Sequence, residues 1–185
     1  MLVINLWGAP SSGKSTTAHG LTFLLNINKW RTEYISEYAK ELVWDGRHGL
    51  LKNQNHVFDQ QNLRLQRMLD HNMDAVITDS PLPLSVIYQP PGYLEGFEGL
   101  VMDQFHRYNN INIFLTRKHS FEAIGRVHNE RQAIELDLRI RQFLADNQIE
   151  YLDLEANPKT PQVIFDYLTE IRQRPISMPL VVPEE

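Results

Sequence analysis

The stretch "LVINLWGAPSSGKST", Leu2 to Thr16, decides the fold. An uncharged apolar run stops at a loop of glycine, alanine, proline and serine, and a helical pattern begins beyond Gly13. Gly8, Gly13, Lys14 and Ser15 fit the spacing G-x-x-x-x-G-K-[ST], and the strand before and the helix after supply the context that this spacing requires. In such a loop the backbone N–H groups and the helix N-terminus make a nest for an anion, with Ala9, Pro10, Ser11 and Ser12 as its body. Lys14 is then the residue to neutralise the β- and γ-phosphates, and the Ser15 hydroxyl is offered to magnesium. Thr16 either reaches the α-phosphate or is an ordinary helix residue. The ligands to expect are ATP and Mg2+. Switch GTPases, motor ATPases and small-molecule kinases all share such a site, so the rest of the chain has to discriminate.

Outward from the loop, short apolar runs alternate with longer helical patterns, the sign of βαβ units and a parallel sheet. Strands are expected at Leu2–Leu6, Thr32–Ser36, Ala75–Thr78, Ile111–Leu115 and Glu150–Leu154. Helices are expected at about Lys14–Leu25, Glu37–Val43, Asn53–Asp70, Leu94–Tyr108, Glu130–Ala145 and Pro161–Arg172. The helix from Glu130 is the best defined, with Ala133, Leu136, Ile140, Phe143 and Leu144 on one stripe and Asn129 and Gln132 as a capping pair. The fold class is therefore α/β: a three-layer α/β/α domain over residues 1–173 with a five-stranded parallel sheet. The tail "RPISMPLVVPEE", residues 174–185, has three prolines and no helical period, and reads as an extended arm.

Composition narrows the class. A chain of 185 residues with 42% apolar content is the size of one globular domain. With no cysteine there is neither a disulfide framework nor a thiolate metal site, which suits a reducing cytoplasm. The opening apolar run is too short for a signal-peptide core or a membrane span, so a soluble, cytoplasmic protein is expected, with no membrane partner. A net charge of −5 argues against charge-driven nucleic-acid binding over the whole surface, and still allows one local basic groove.

With these features the chain resembles the nucleoside and nucleotide kinase branch of P-loop proteins, over nearly its whole length to about Arg172. More narrowly, "SEYAKEL", "AVITDSP" and "GRVHNERQAIELDLRIRQFLADNQIEYLDL" resemble small phage-type ATPase/kinase domains, a group similar to the ribosylnicotinamide kinase domain. That group includes phage kinases acting on hydroxymethyluracil in DNA. The resemblance implies a host cytoplasm if the chain is phage-encoded.

Glu37 follows the second strand at the edge where open parallel sheets bind ligands. In similar nucleoside kinases an acidic residue here accepts the proton of the attacking hydroxyl, and Glu37 is the candidate base; its alternative is simply to open the next helix, where a carboxylate favours the dipole. Tyr38 beside it either stacks on a base or fills core. Asp79 closes the third strand at the same edge and is assigned to the metal with Ser15, the alternative being a turn cap ahead of Ser80-Pro81. Related deoxynucleoside kinases tend to carry an acidic-arginine pair at this point. Here Ser80 follows, so a positive charge for the phosphates has to come from elsewhere.

The segment "TRKHSFEAIGRVHNER" holds Arg117, Lys118, Arg126 and Arg131. The resemblance implies an arginine-rich lid over about 117–131 that closes on the phosphates and excludes water, with Gly125 as its flexible point. Arg126 and Arg131 are the candidate catalytic arginines and Arg117 a platform near the nucleotide base. Arg131 can equally pair with Glu135, and Glu135 with Arg139, on a solvated face. His119 and His128 have no metal-ligand partner at a convincing spacing.

For the acceptor, the amides Gln54, Gln60, Gln61 and Asn62 suit the edge of a base, although glutamine also suits an exposed helix face. The loop "PLPLSVIYQPPGYLEGF" is either an aromatic acceptor wall or a rigid connection. The function expected is an ATP-dependent kinase acting on a hydroxyl of a nucleoside-like acceptor, either a free small molecule or modified phage DNA. From another class, a nucleotide-hydrolysing switch remains open, although the chain has no N-K-x-D signature and reads "DSPL" where a D-x-x-G switch would stand. A homodimer, joined or not by the C-terminal arm, is a further expectation.

Overall fold

The computed structural model describes residues 1–117 and 130–173. The expected lid, including Arg126, His119, His128 and Gly125, and the C-terminal arm therefore lie largely or wholly outside the described residues. Among those described, the elements run β1 (Leu2–Trp7), α1 (Lys14–Ile27), β2 (Thr32–Ile35), α2 (Tyr38–Trp44), a 3-10 turn (His48–Lys52), α3 (Gln54–Leu69), β3 (Ala75–Thr78), α4 (Leu84–Ile87), α5 (Phe97–His106), β4 (Asn109–Thr116), α6 (Glu130–Asp146), β5 (Leu152–Glu155) and α7 (Thr160–Gln173).

The five strands form one parallel sheet in the order β2-β3-β1-β4-β5. Alternation along β1 splits the core into two layers, as a period of two dictates. Ile4 and Leu6 face α1 and α7 through Leu21, Leu25, Ile164 and Leu168. Val3 and Trp7 face the opposite side, where α3, α4, α5 and α6 pack. The architecture is the expected three-layer α/β/α. Asn5, fully buried, also sits on the second side, and its Nδ2 donates to Asn110 Oδ1 at 2.9 Å and to Asn112 Oδ1 at 3.2 Å. Trp7 Nε1 donates to the same Asn112 oxygen at 3.1 Å. This amide ladder satisfies polar groups inside the sheet and helps fix the register Asn5↔Asn112, since a slip by one residue would bury them unpaired.

The connections place the site. The chain leaves β1 through α1 toward β2 on one side, and leaves β3 through α4 and α5 toward β4 on the other. The carboxyl ends of β1 and β3, adjacent in the sheet, therefore open a crevice at a topological switch point. Among the described residues no helix is long and apolar enough to cross a membrane.

Candidate active site

The loop between β1 and α1 is shaped by two glycines. Gly8 has φ +131° and Gly13, at the head of α1, φ +88°, values that side chains rarely tolerate. A Cβ on Gly8 would lie 2.6 Å from Ser12 Oγ and 2.9 Å from the Leu115 carbonyl oxygen, so the loop is pressed against β4. Ser11 also takes a left-handed φ of +67°, which turns the loop back on itself. No side chain caps α1 and its first turn carries no acid, leaving its opening N–H groups to an anion. Lys14 is folded back over the loop, its Nζ donating to Gly8 O at 2.6 Å and Ala9 O at 3.0 Å.

Asp79, the residue after β3, is 2% exposed. Its Oδ2 accepts from Ser15 Oγ at 2.6 Å and from Tyr34 Oη at 2.7 Å, while its Oδ1 is buried with no partner. It does not cap the turn that follows, because among the described residues neither of its oxygens accepts from a backbone N–H. A hydroxyl and a carboxylate brought together, with one buried carboxylate oxygen left over, is a donor set that a hard divalent cation such as Mg2+ fits. Tyr34, on β2, was missed by sequence reading. Burial and the adjacent Asp79 carboxylate push its phenol well above the ordinary tyrosine range, so it is a standing donor to that carboxylate.

Glu37 takes the N-cap position of α2 but its side chain makes no capping bond. It lines a cavity of about 400 Å3 that runs from the loop (Pro10–Thr16) past Asp79 and Ser80. The far wall is largely apolar, from Ala39 and Val43 of α2, Leu51, Val57 of α3, and Leu84 and Tyr88 around α4, with Gln54 and Lys40 as polar groups. The proline-rich loop that the sequence left undecided thus contributes a short helix, α4, to the wall.

The other expected residues divide. Gln61 is spent on structure: its Oε1 accepts the Tyr38 N–H and its Nε2 donates to Ser36 O and Thr78 Oγ1. Asn62 accepts from Tyr108 Oη. Tyr38 is core, its hydroxyl 2.9 Å from His56 Nε2. Arg131 is not brought to the cavity. It pairs with Glu135 at 3.0 Å on the exposed face of α6, with 89% of its own side chain in solvent, the solvated alternative that helical spacing offered. Arg117 stands at the end of β4, near enough to Asp137 of α6 to act on its charge.

Asp137 was also missed. Its Oδ1 accepts the Ala9 N–H at 2.6 Å, tying α6 to the phosphate loop. The signal available was a carboxylate set between Ala133, Leu136 and Ile140 on the apolar stripe, where a surface acid does not belong.

Strand, glycine loop and helix, with a hydroxyl–carboxylate pair beside them, define a P-loop nucleotide-binding domain. A family model described as an AAA domain matches residues 3–160, and the chain belongs to that family. No curated protein matches the chain.

Proposed function

We propose that this domain is an ATP-dependent kinase that passes the γ-phosphoryl group to a hydroxyl of a nucleoside-like acceptor. The observation that carries the reading is the single cavity in which the phosphate loop, Asp79 and Glu37 share one wall while an apolar chamber opens opposite. A hydrolytic switch has no use for a chamber beyond its phosphates; a transferase needs one for the acceptor.

In this reading the loop from Gly8 to Thr16 cradles the polyphosphate, and Lys14 leaves its carbonyl partners for the β- and γ-oxygens. Ser15 and Asp79 hold Mg2+, which when bound neutralises charge on the phosphates. The acceptor hydroxyl oxygen bonds to the γ-phosphorus as the bond to the β–γ bridging oxygen breaks. Its proton passes to Glu37, and ADP leaves. Arg126 and Arg131 are the cations proposed to balance charge on the transferred group, since Ser80 offers none, and Arg117 is the proposed platform near the nucleotide base. Arg131 would have to release Glu135 to do so. Gln54, half of whose amide is engaged by Leu51 O, is the group in the wall suited to the edge of a heterocycle.

The cavity has the volume of a small-molecule site, which favours a free acceptor. Modified DNA would have to present an extruded base. The test is incubation with Mg2+ and γ-labelled ATP against nucleosides, nucleoside monophosphates, nicotinamide riboside and DNA with and without hydroxymethyluracil. Label on one small acceptor, abolished by Glu37→Gln with triphosphate binding intact, is the expected result. Label on modified DNA alone, with a steep salt dependence, assigns the nucleic-acid acceptor. Phosphate release with no labelled acceptor refutes the proposal.

A further inference from the structure

The peptide unit between Gly8 and Ala9 is gripped from both ends by opposite charges. Its carbonyl oxygen accepts from the Lys14 ammonium at 2.6 Å, and its N–H donates to Asp137 Oδ1 at 2.6 Å. The peptide dipole thus lies along the field of the two, carbonyl toward the cation and N–H toward the anion. Lys14 belongs to the loop itself; Asp137 comes from α6, 128 residues along the chain.

These two grips have different fates when a polyphosphate arrives. Phosphate oxygens carry full charge and compete for the ammonium far better than peptide carbonyls do, so Lys14 is drawn away. The Gly8 carbonyl then loses that partner at the moment the loop must hold its shape. Glycine at position 8 offers little conformational resistance to rotation of this peptide, because it has no Cβ to restrict it. A rotated peptide would take its N–H off the Asp137 carboxylate and turn the carbonyl oxygen toward it, so that carboxylate opposes the rotation.

We propose that Asp137 is a positioning residue for the phosphate-binding loop, its carboxylate fixing the Gly8–Ala9 peptide while Lys14 exchanges the loop carbonyls for the phosphates. The carboxylate does this as a hydrogen-bond acceptor and in spite of its charge, which sits close enough to Lys14 to be felt and is of the same sign as the phosphates. An amide at this position keeps the acceptor and removes the charge; a methyl group keeps neither. The order of nucleotide affinity follows as Asp137→Asn equal to or tighter than the native chain, and Asp137→Ala weakest.

The proposal depends on phosphate binding by the loop and not on phosphoryl transfer, so the experiment uses no acceptor and stands if the kinase reading falls. The whole chain and both variants are titrated with a fluorescent ATP analogue in Mg2+, and exchange of the Ala9 amide proton is followed by NMR. Asp137→Ala is expected to bind about tenfold more weakly, as loss of one hydrogen bond implies. Its Ala9 amide is expected to exchange faster, while Asp137→Asn keeps both the affinity and the protection. Equal affinity in Asp137→Ala and the native chain overturns the proposal, and so does a loss in Asp137→Asn as large as in Asp137→Ala. If Asp137→Ala does not fold, Asp137→Asn decides alone: native affinity with a protected Ala9 amide supports the role, and a tenfold loss or an unprotected amide overturns it.

Discussion

Tyr34→Phe removes one hydroxyl and leaves nearly everything else in place. The ring keeps its edge-on contact with His19 at 4.8 Å, so little apolar packing is lost. What disappears is the 2.7 Å bond to Asp79 Oδ2, made to a carboxylate that is 2% exposed and whose other oxygen has no partner. A hydrogen bond to a charged group contributes about 1.5–3 kcal/mol, and the remaining bond from Ser15 cannot replace it. For a chain of this length each kcal/mol moves the melting temperature by about 2–4 °C, so the fall should be about 3–12 °C. Urea denaturation of Tyr34→Phe, Asp79→Ala and the double variant forms a cycle that isolates the pair. In the Asp79→Ala background the tyrosine substitution should cost less than about 0.5 kcal/mol, because the acceptor is gone. An equal cost in both backgrounds would show that the energy comes from elsewhere and would sink the argument, as would a Tyr34→Phe chain as stable as the native one.

Gly8→Ala forces a Cβ to 2.9 Å from the Leu115 carbonyl at a φ of +131°, and should destabilise by about 2 kcal/mol or more in urea denaturation, since strand β4 cannot yield. Burial holds the Asp137 carboxyl above its ordinary value, against the pull of the Ala9 N–H, Lys14, Arg117 and Arg141. The folded chain therefore keeps this proton to higher pH than the unfolded chain, and stability present at acid pH is lost as pH rises through the folded value. Calorimetry should find Asp137→Asn melting higher than the native chain at pH 7, with the gap closing as pH falls toward 3.8, the ordinary aspartate value. Burial, aided by Asp79 for Tyr34 and by Glu37 for Tyr88, raises both phenols, so absorbance at alkaline pH should show these two ionising last, with their contribution to stability constant below pH 10.0 and falling above it.

The sheet was legible because its strands are short runs with apolar residues bounded by turns; Ala75–Thr78 was placed to the residue and the other strands to within two residues at each end. Asn53 was read as helix and instead caps α3, its side chain accepting the His56 N–H. Two short pieces escaped. The 3-10 turn at His48–Lys52 and α4 at Leu84–Ile87 are too brief to show a period, and α4 lies among prolines that argue against a helix until Pro83 is seen at its N-cap. The phosphate loop was readable because its chemistry is local. Tyr34 and Asp137 were not, because what makes them matter is a partner 45 or 128 residues away. Gln61 was misjudged for the same reason: nothing in a helix shows that three backbone and side-chain groups of other elements will occupy its amide.

The three tryptophans of this chain stand in three separate surroundings. Trp7 is fully buried directly before Gly8, with its indole N–H on Asn112. Trp30 is covered by the Arg172 guanidinium at 4.3 Å, remote from the cavity lining. Trp44 is 65% exposed and follows Val43, which lines the cavity. The molecule thus carries its own optical reporters: a shielded one wired to the phosphate loop, a solvent-quenchable one beside the chamber, and a silent reference away from the cavity. Single-tryptophan chains would let the filling of the loop and of the chamber be timed separately, without any dye.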